Sequence, residues 1–235
     1  AAAQRQAEQE TLLASIVPRH VIEPLMAWMA QGFDPKRAIT RHYEAACIGF
    51  IGLNNSAGLV SDDAAGALDT DDAFFVAHRR VDEVLSRSAL IEKVKTIGDV
   101  VMLGGPFHRE HTDAETLSAA ASQIAGMFLA VRDVSATVTA GAHLGEMQGA
   151  VLGTARLCFD VFGDAVNTAS RTMAAAVREG RAVAVTAALH EAMRRGGDTI
   201  QEEFNGEATE VAAKGKGVIQ VHMLRRHAHA ASTLP

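Results

Sequence analysis

Hydrophobic and polar residues change spacing along the chain, and each spacing predicts a different element. Residues 1–17 are rich in Ala, Gln and Glu and predict a helix that ends before Pro18. A second short helix is predicted from about His20 to Ala30. This N-terminal part has two possible roles: a helix that docks on the following domain, or a connector that carries a signal from a preceding module.

From Ala45 onward the pattern predicts alternating strands and helices. Thr112 and Glu115 form a predicted capping box before one of the helices. The predicted elements are a strand over 46–53, a loop over 56–72, a helix over 74–85, a hairpin over 90–103, a helix after 115, strands over 136–144 and 147–152, a helix over 164–178, and a C-terminal hairpin ending near 224.

The order β-α-β-β-α-β with C-terminal additions predicts an α+β sandwich of the ferredoxin-like kind. We expect three parts: a helical connector over 1–40, one globular domain over 41–226, and a disordered tail over 227–235. A length of 235 residues with 48% hydrophobic content suits one such domain.

Charge and cysteine usage narrow the possible environments and partners. The formal net charge of −6 leaves no broad basic surface, which argues against nucleic acid or an anionic membrane as the main partner. Cys47 and Cys158 each lie in an apolar, strand-like stretch, so both are expected to be free core thiols in a reducing compartment. No signal peptide or apolar run of membrane-spanning length is seen, so we expect a cytoplasmic protein, or the cytoplasmic domain of a larger membrane protein.

The strongest chemical signal is the run FDVFGDAVNTASR, from Phe159 to Arg171, which is expected to end a loop and open a helix. Asn167 and Arg171 are four residues apart and therefore share one helix face. An amide and a guanidinium on that face can bind the oxygens of a phosphoryl group as negative charge develops there. Taken alone, an ordinary surface helix would explain the same residues.

The whole run, however, resembles the signature of the class III nucleotidyl cyclases. Gly141, His143, Gly145 and Gly153 also fall where that family places a glycine-bearing hairpin. The resemblance implies the class III cyclase fold. It also implies that Asn167 orients the ribose and that Arg171 stabilises the transition state.

A second block, EKVKTIGDVVM, resembles the family's hairpin motif and places Lys95 at the position that reads the base. Asp160 is its expected partner in the base pocket. A lysine donor and an aspartate acceptor match the adenine edge better than the guanine edge, so the pair implies ATP as substrate. The plainer alternative is that Lys95 is an ordinary polar residue of a strand with no role in binding.

A third block, AAKGKGV, resembles the family's C-terminal hairpin, whose lysine reaches the triphosphate. Lysines beside glycines in a tight turn are common solvated residues. This motif therefore supports the resemblance only because the other two blocks occur at the matching positions in the same sequence. Lys214 is the favoured phosphate ligand and Lys216 the close second.

The resemblance fails at one of the two metal-binding aspartates. Asp99 fits the second aspartate, but Gly52 occupies the slot of the first and has no side chain to bind Mg²⁺ or Mn²⁺. Asp62 and Asp63 lie too far along the loop to be simple replacements. The pattern is most similar to the second catalytic half of two-half adenylate cyclases, which implies that a dimer partner supplies the metal site.

Four histidines are the remaining candidates for metal ligands. His108, His111, His227 and His229 lack a zinc-like spacing and are expected to be surface residues. The sequence contains neither His-Glu-x-x-His nor the Walker-type glycine loop.

The favoured hypothesis is an adenylate cyclase domain that converts ATP to 3′,5′-cyclic AMP and pyrophosphate in intracellular signal transduction. It would act as a homodimer or as a heterodimer with another cyclase domain, and the isolated chain would be weak or inactive. The alternative is a degenerate homology module that dimerises with an intact cyclase and regulates it. An unrelated ferredoxin-like nucleotide-binding protein is a remote third reading.

Overall fold

A computed structural model describes residues 17–32, 39–53, 73–108, 111–133, 138–153, 157–213 and 215–225. The helices are α1 (Arg19–Ala30), α2 (Ala73–Ser86), α3 (Ala114–Arg132), α4 (Asp164–Arg178) and α5 (Ala187–Arg195), with a 3-10 turn at Thr199–Glu203. The strands are β1 (Ile39–Gly52), β2 (Glu92–Ile97), β3 (Val100–Gly105), β4 (Thr139–Leu152), β5 (Cys158–Phe162), β6 (Val183–Thr186), β7 (Thr209–Ala213) and β8 (Gly217–Met223). The mixed α+β class and the β-α-β-β-α-β order predicted from the sequence are confirmed.

These strands form one eight-stranded sheet in the order β2-β3-β1-β4-β6-β8-β7, with β5 paired to the C-terminal half of β4. The pairs are antiparallel except β4 with β6, which run parallel. β2 is therefore an edge strand: among the described strands, it pairs only with β3.

The sheet carries a hydrophobic cluster on each face. Helices α2, α3 and α5 contribute to the larger cluster, which includes Phe128 and Leu189. The second cluster holds α1 and the start of α4 against Phe50, Met102 and Phe159. Burial of both faces explains why β1 changes from alternating exposure to a continuous buried run over its last seven residues.

Helix α3 is long and apolar enough to span a membrane by length and composition alone. Its buried residues, among them Ile124 and Phe128, pack in the larger core cluster. The core therefore accounts for its apolar character.

Two predictions about strands are wrong. The predicted strands over 136–144 and 147–152 are one continuous strand, β4, because it pairs along its length with the long β1. The segment before α4, expected to be a loop, forms strand β5 instead. The hairpin turn that follows β4 contains Gly153, whose φ of 101° suits glycine.

Two local predictions are also corrected. The N-cap of α3 is Asp113, whose carboxylate accepts from the Thr116 backbone N–H at 2.8 Å, and not Thr112. Cys47 is buried as expected, but Cys158 is exposed because it begins the outer strand β5. The predicted N-terminal helix, the loop over 56–72 and the C-terminal tail lie almost wholly or wholly outside the described residues.

Candidate nucleotide-binding site

Lys95 on β2 and Asp160 on β5 form an ion pair, with Nζ 2.5 Å from Oδ2. Their side chains are 36% and 16% exposed, so the charged atoms remain open to solvent or a ligand. Asp160 also accepts from the Val161 backbone N–H at 2.9 Å, which fixes the carboxylate. A partly exposed pair of this kind contributes only about 0–1 kcal/mol to stability.

Helix α4 begins directly after β5, and its closeness to the sheet depends on two glycines. Gly163, at the N-cap, has φ 127°, a conformation that residues with a Cβ rarely adopt. At Gly141 on β4, a Cβ would stand 2.1 Å from the backbone N of Met173 in α4. The helix backbone therefore lies against the strand, and this contact fixes the side chains that α4 presents.

Asn167 is exposed and Arg171 half-buried on α4, as expected for residues that share a helix face. The Arg171 guanidinium lies against the KGKG hairpin, with Nη2 3.6 Å from where a Cβ on Gly215 would stand. Among the described residues, neither side chain is held by a hydrogen bond or an ion pair to another side chain.

The second lysine of the hairpin is already engaged. Lys216 Nζ donates to Asp164 in the first turn of α4, and this contact ties the hairpin to the helix that carries Asn167 and Arg171. Lys214 lies outside the described residues.

His143 lies near the Lys216–Asp164 ion pair. Its Nδ1 is 2.9 Å from Thr186 Oγ1 and donates to or accepts from that oxygen, according to the tautomer of the ring. Burial, aided by the nearby positive charge of Lys216, lowers the pKa of His143 from 6.5 to about 4. The ring is therefore neutral near pH 7 and adds no positive charge of its own to the site.

The two expected metal positions are neighbours in the fold. Gly52, the last residue of β1, pairs with Val100, and the backbone N–H of Leu53 donates to the Asp99 carbonyl at 2.9 Å. The slot predicted for the first aspartate thus lies beside Asp99, and of these two positions Asp99 alone carries a carboxylate. Within the described ranges, no group of three His, Cys, Asp or Glu residues could hold a metal ion.

Lys95 lies within β2, whereas Asp99 lies in the turn between β2 and β3, directly after Gly98. The two residues therefore occupy different places on the same hairpin.

Sequence reasoning missed Asp164 as a site residue. An acidic residue in the first turn of a helix is usually explained by the helix dipole alone. The available signal was the pairing of this acid with a second lysine in a glycine-flanked turn, but the contact spans 52 residues and needs the fold to be seen.

Residues 39–226 match the family model described as the adenylate and guanylate cyclase catalytic domain. Among curated relatives, an aggregation-specific adenylate cyclase of Dictyostelium discoideum is 28% identical over 135 residues, covering 57% of this chain and 9% of that protein. Adenylate cyclase type 9 of Xenopus laevis is 24% identical over 178 residues, covering 70% of this chain and 13% of that protein. The chain thus spans only a small part of these relatives.

A solved structure of a bacterial light-regulated adenylyl cyclase superposes with a TM-score of 0.59 at 17% identity, covering 95% of this chain and 62% of the other. At this identity the likeness supports the fold alone. The family match extends over most of the chain and includes every motif block described above. The chain belongs to the adenylate and guanylate cyclase catalytic-domain family.

Proposed function

We propose that this domain supplies the nucleotide-reading half of an adenylate cyclase site and works with a second cyclase domain that supplies the metal-binding half. The observation that carries the proposal is the contrast between two places on the β2–β3 hairpin: a formed Lys95–Asp160 pair on β2, and Asp99 beside a glycine at the turn.

Adenine presents a ring nitrogen that accepts and an amino group that donates. Lys95 would donate to the first and Asp160 would accept from the second, so the ion pair opens to receive the base. The curated relatives described above are adenylate cyclases, which agrees with ATP as the substrate.

In the reaction, the ribose 3′-oxygen attacks the α-phosphorus, its proton leaves, and the bond from that phosphorus to the bridging oxygen breaks to release pyrophosphate. Asn167 would hold the ribose so that the 3′-oxygen lies in line with the leaving group. Arg171 would donate to the phosphoryl oxygens as their charge increases, which favours the transition state over the bound substrate.

The two hairpin lysines would then have different tasks. Lys216 is neutralised by Asp164 and would hold the hairpin on α4. Lys214 would contact the triphosphate, in keeping with the favoured prediction from the sequence.

Class III cyclases use divalent metal ions, but the described residues of this chain do not fit a two-metal site, since Gly52 offers no ligand. In a homodimer both composite sites would have this deficiency. We therefore expect the carboxylates for Mg²⁺ or Mn²⁺ to come from a different partner domain.

A second candidate function follows from the same glycine. The domain could serve as a non-catalytic module that binds an intact cyclase and regulates it. In that case its base pocket would bind nucleotide without turnover.

Complementation distinguishes the two. This chain is mixed with a cyclase domain that keeps both metal aspartates but carries substitutions at its own Asn and Arg positions, so that partner homodimers are silent. Cyclic AMP formation by the mixture, and by neither protein alone, would support the catalytic role. Absence of product with every such partner, despite dimer formation, would favour the regulatory role.

A further inference from the structure

Helix α1 lies outside the residues that match the cyclase family, yet it packs on the sheet face where the base pocket forms. Its Val17 flank and its residues Val21 and Leu25 are buried in one cluster with Val94 of β2 and Phe159 of β5. The helix is therefore held by the two strands that carry the base-reading residues.

One side chain of α1 contacts both strands. His20, whose side chain is only 5% exposed, has Nδ1 3.2 Å from Glu92 Oε1 on β2. Its ring meets Phe159 of β5 edge-on, with centroids 4.7 Å apart and planes at 84°, and is tilted against Phe107 at 5.1 Å. His20 thus bridges β2 and β5.

The residues that His20 contacts lie next to Lys95 and Asp160 in the sequence. Phe159 immediately precedes Asp160, and Glu92 is three residues before Lys95 on a short strand. The β2–β3 register shifts between Lys93 and Lys95, and such irregularities redirect the side chains that follow. His20, Glu92 and Lys95 also line a common cleft of about 700 Å³.

Among the described strands, β2 and β5 do not pair directly with each other. In the sheet order, β3, β1 and β4 separate them, and β5 pairs only with β4. Within the described residues, side chains make the direct contacts across this gap: Lys95 with Asp160 at one place, and His20 with Glu92 and Phe159 at another.

Stability alone explains the His20–Glu92 pair poorly. Among the described residues, His20 Nε2 and Glu92 Oε2 are buried without hydrogen-bond partners. Enclosed polar groups that are only half satisfied are costly, and apolar residues of similar size often stabilise such a position better.

We propose that His20 is a positioning residue for the base pocket: by tying β2 to β5 it sets the separation of Lys95 and Asp160, and through it the preference for adenine over guanine nucleotides. The effect on nucleotide preference rests on the proposed function, whereas the effect on the Lys95–Asp160 geometry does not. Any movement of α1 would then alter the base pocket directly.

The test uses the whole chain with His20→Ala and, as matched control, Val21→Ala, which removes a neighbouring buried side chain of α1 but leaves the His20 bridge. Crystal structures and equilibrium binding of ATP and GTP are measured for both. We expect His20→Ala to open the Lys95–Asp160 pair beyond 4 Å and to lower the ATP-to-GTP affinity ratio about tenfold, the equivalent of one hydrogen bond. Val21→Ala should lower the melting temperature while both readouts stay as in the wild type.

If His20→Ala does not fold, the double variant His20→Phe with Glu92→Met takes its place. It replaces the polar pair by apolar residues and should preserve the fold while removing the His20–Glu92 hydrogen bond. In either variant, an unchanged 2.5 Å pair and an unchanged nucleotide ratio would overturn the proposal. If the pair opens but the wild type binds ATP and GTP equally, the positioning role stands and the assignment of Lys95 and Asp160 to adenine reading fails. His20→Gln, which keeps a donor toward Glu92, should recover much of the wild-type geometry.

Discussion

The two ends of the β2–β3 hairpin region differ in what they can do. At the proposed base-reading end, Lys95 and Asp160 are paired at 2.5 Å, and α4 presents Asn167 and Arg171. At the proposed metal end, Asp99 lies beside the backbone of β1, where Gly52 provides no ligand. The strand pairing is intact at both ends, so the missing carboxylate at position 52 affects side-chain chemistry and not the fold.

Under the proposed function, this difference means that a site shared between two subunits can lose one half without loss of the domain. Residues of the base-reading end would be needed in any dimer in which this chain faces a partner's metal site. Residues of the metal end would be needed only if this chain also provides metals. The predictions below separate the two ends, beginning with the largest expected effect.

The largest difference is expected between Arg171→Ala and Asp99→Ala in the mixed dimer with a silenced partner. Arg171→Ala should lower turnover about a thousandfold, because removing a donor that acts mainly in the transition state costs about this much in other enzymes. Asp99→Ala should change turnover less than about twofold, since it lies outside that composite site. Arg194→Ala, an exposed arginine on α5, is the matched control for loss of charge. Equal losses in the Arg171 and Asp99 variants would mean that the two ends act in one site.

Gly52→Asp should supply the metal end with the carboxylate that it lacks. The substitution adds a carboxylate to β1 beside Asp99. We expect Mn²⁺ binding by the pure chain and a rise in homodimer turnover of about a hundredfold or more, because a bound metal lowers the barrier by several kcal/mol. Calorimetry and cyclic AMP assays measure the two effects. Metal binding should disappear in Gly52→Asp combined with Asp99→Ala.

Lys95→Glu with Asp160→Cys should change nucleotide preference without affecting the metal end. The new pair resembles that of guanylate cyclases, and we expect the ATP-to-GTP affinity ratio to fall about a hundredfold, since mismatched donors and acceptors reject a base strongly. Competition binding with the two nucleotides measures the ratio. Lys93→Glu is a control on the same strand, because Lys93 pairs with Asp82 and not with Asp160. A wild-type chain that binds GTP as well as ATP would contradict the base assignment.

Lys216→Asp should weaken nucleotide binding about tenfold, because it loosens the hairpin from α4 and places two like charges together. The charge-swapped double variant, Lys216→Asp with Asp164→Lys, should recover most of the loss if Lys216 holds the hairpin. A direct phosphate ligand would not be restored by the swap. Binding of an ATP analogue by each variant distinguishes these outcomes.

The smallest effect concerns pH near the Lys216–Asp164 ion pair. The pKa of His143 is lowered to about 4, so between about pH 6.5 and 4 the unfolded chain binds a proton that the folded chain does not. Stability contributed by the neutral ring is therefore full above about pH 6.5 and is lost as the pH falls toward 4. His143→Gln should melt with a flatter dependence on pH over this window than the wild type. Parallel curves would show that His143 does not cause the acid sensitivity.

Much of the site was predictable because its motifs are local. Asn167 and Arg171 are four apart on one helix, and the lysine hairpin is a short turn between two strands, so spacing alone predicts their elements. The missing aspartate was visible as Gly52 for the same reason. Errors arose where pairing with distant residues decides the element: β5 is a strand because β4 lies beside it, and β4 is continuous because β1 is.

By itself, the sequence determined the fold class, the family motifs and the absence of a carboxylate at position 52, since these depend on residue type and periodicity. Only the tertiary structure decided that Asp164 engages Lys216 and that Gly52 lies beside Asp99. It also decided that His20 of α1 reaches the two strands of the base pocket. These contacts join residues from 47 to 139 positions apart, and their geometry follows from sheet order and helix packing, which no local pattern contains.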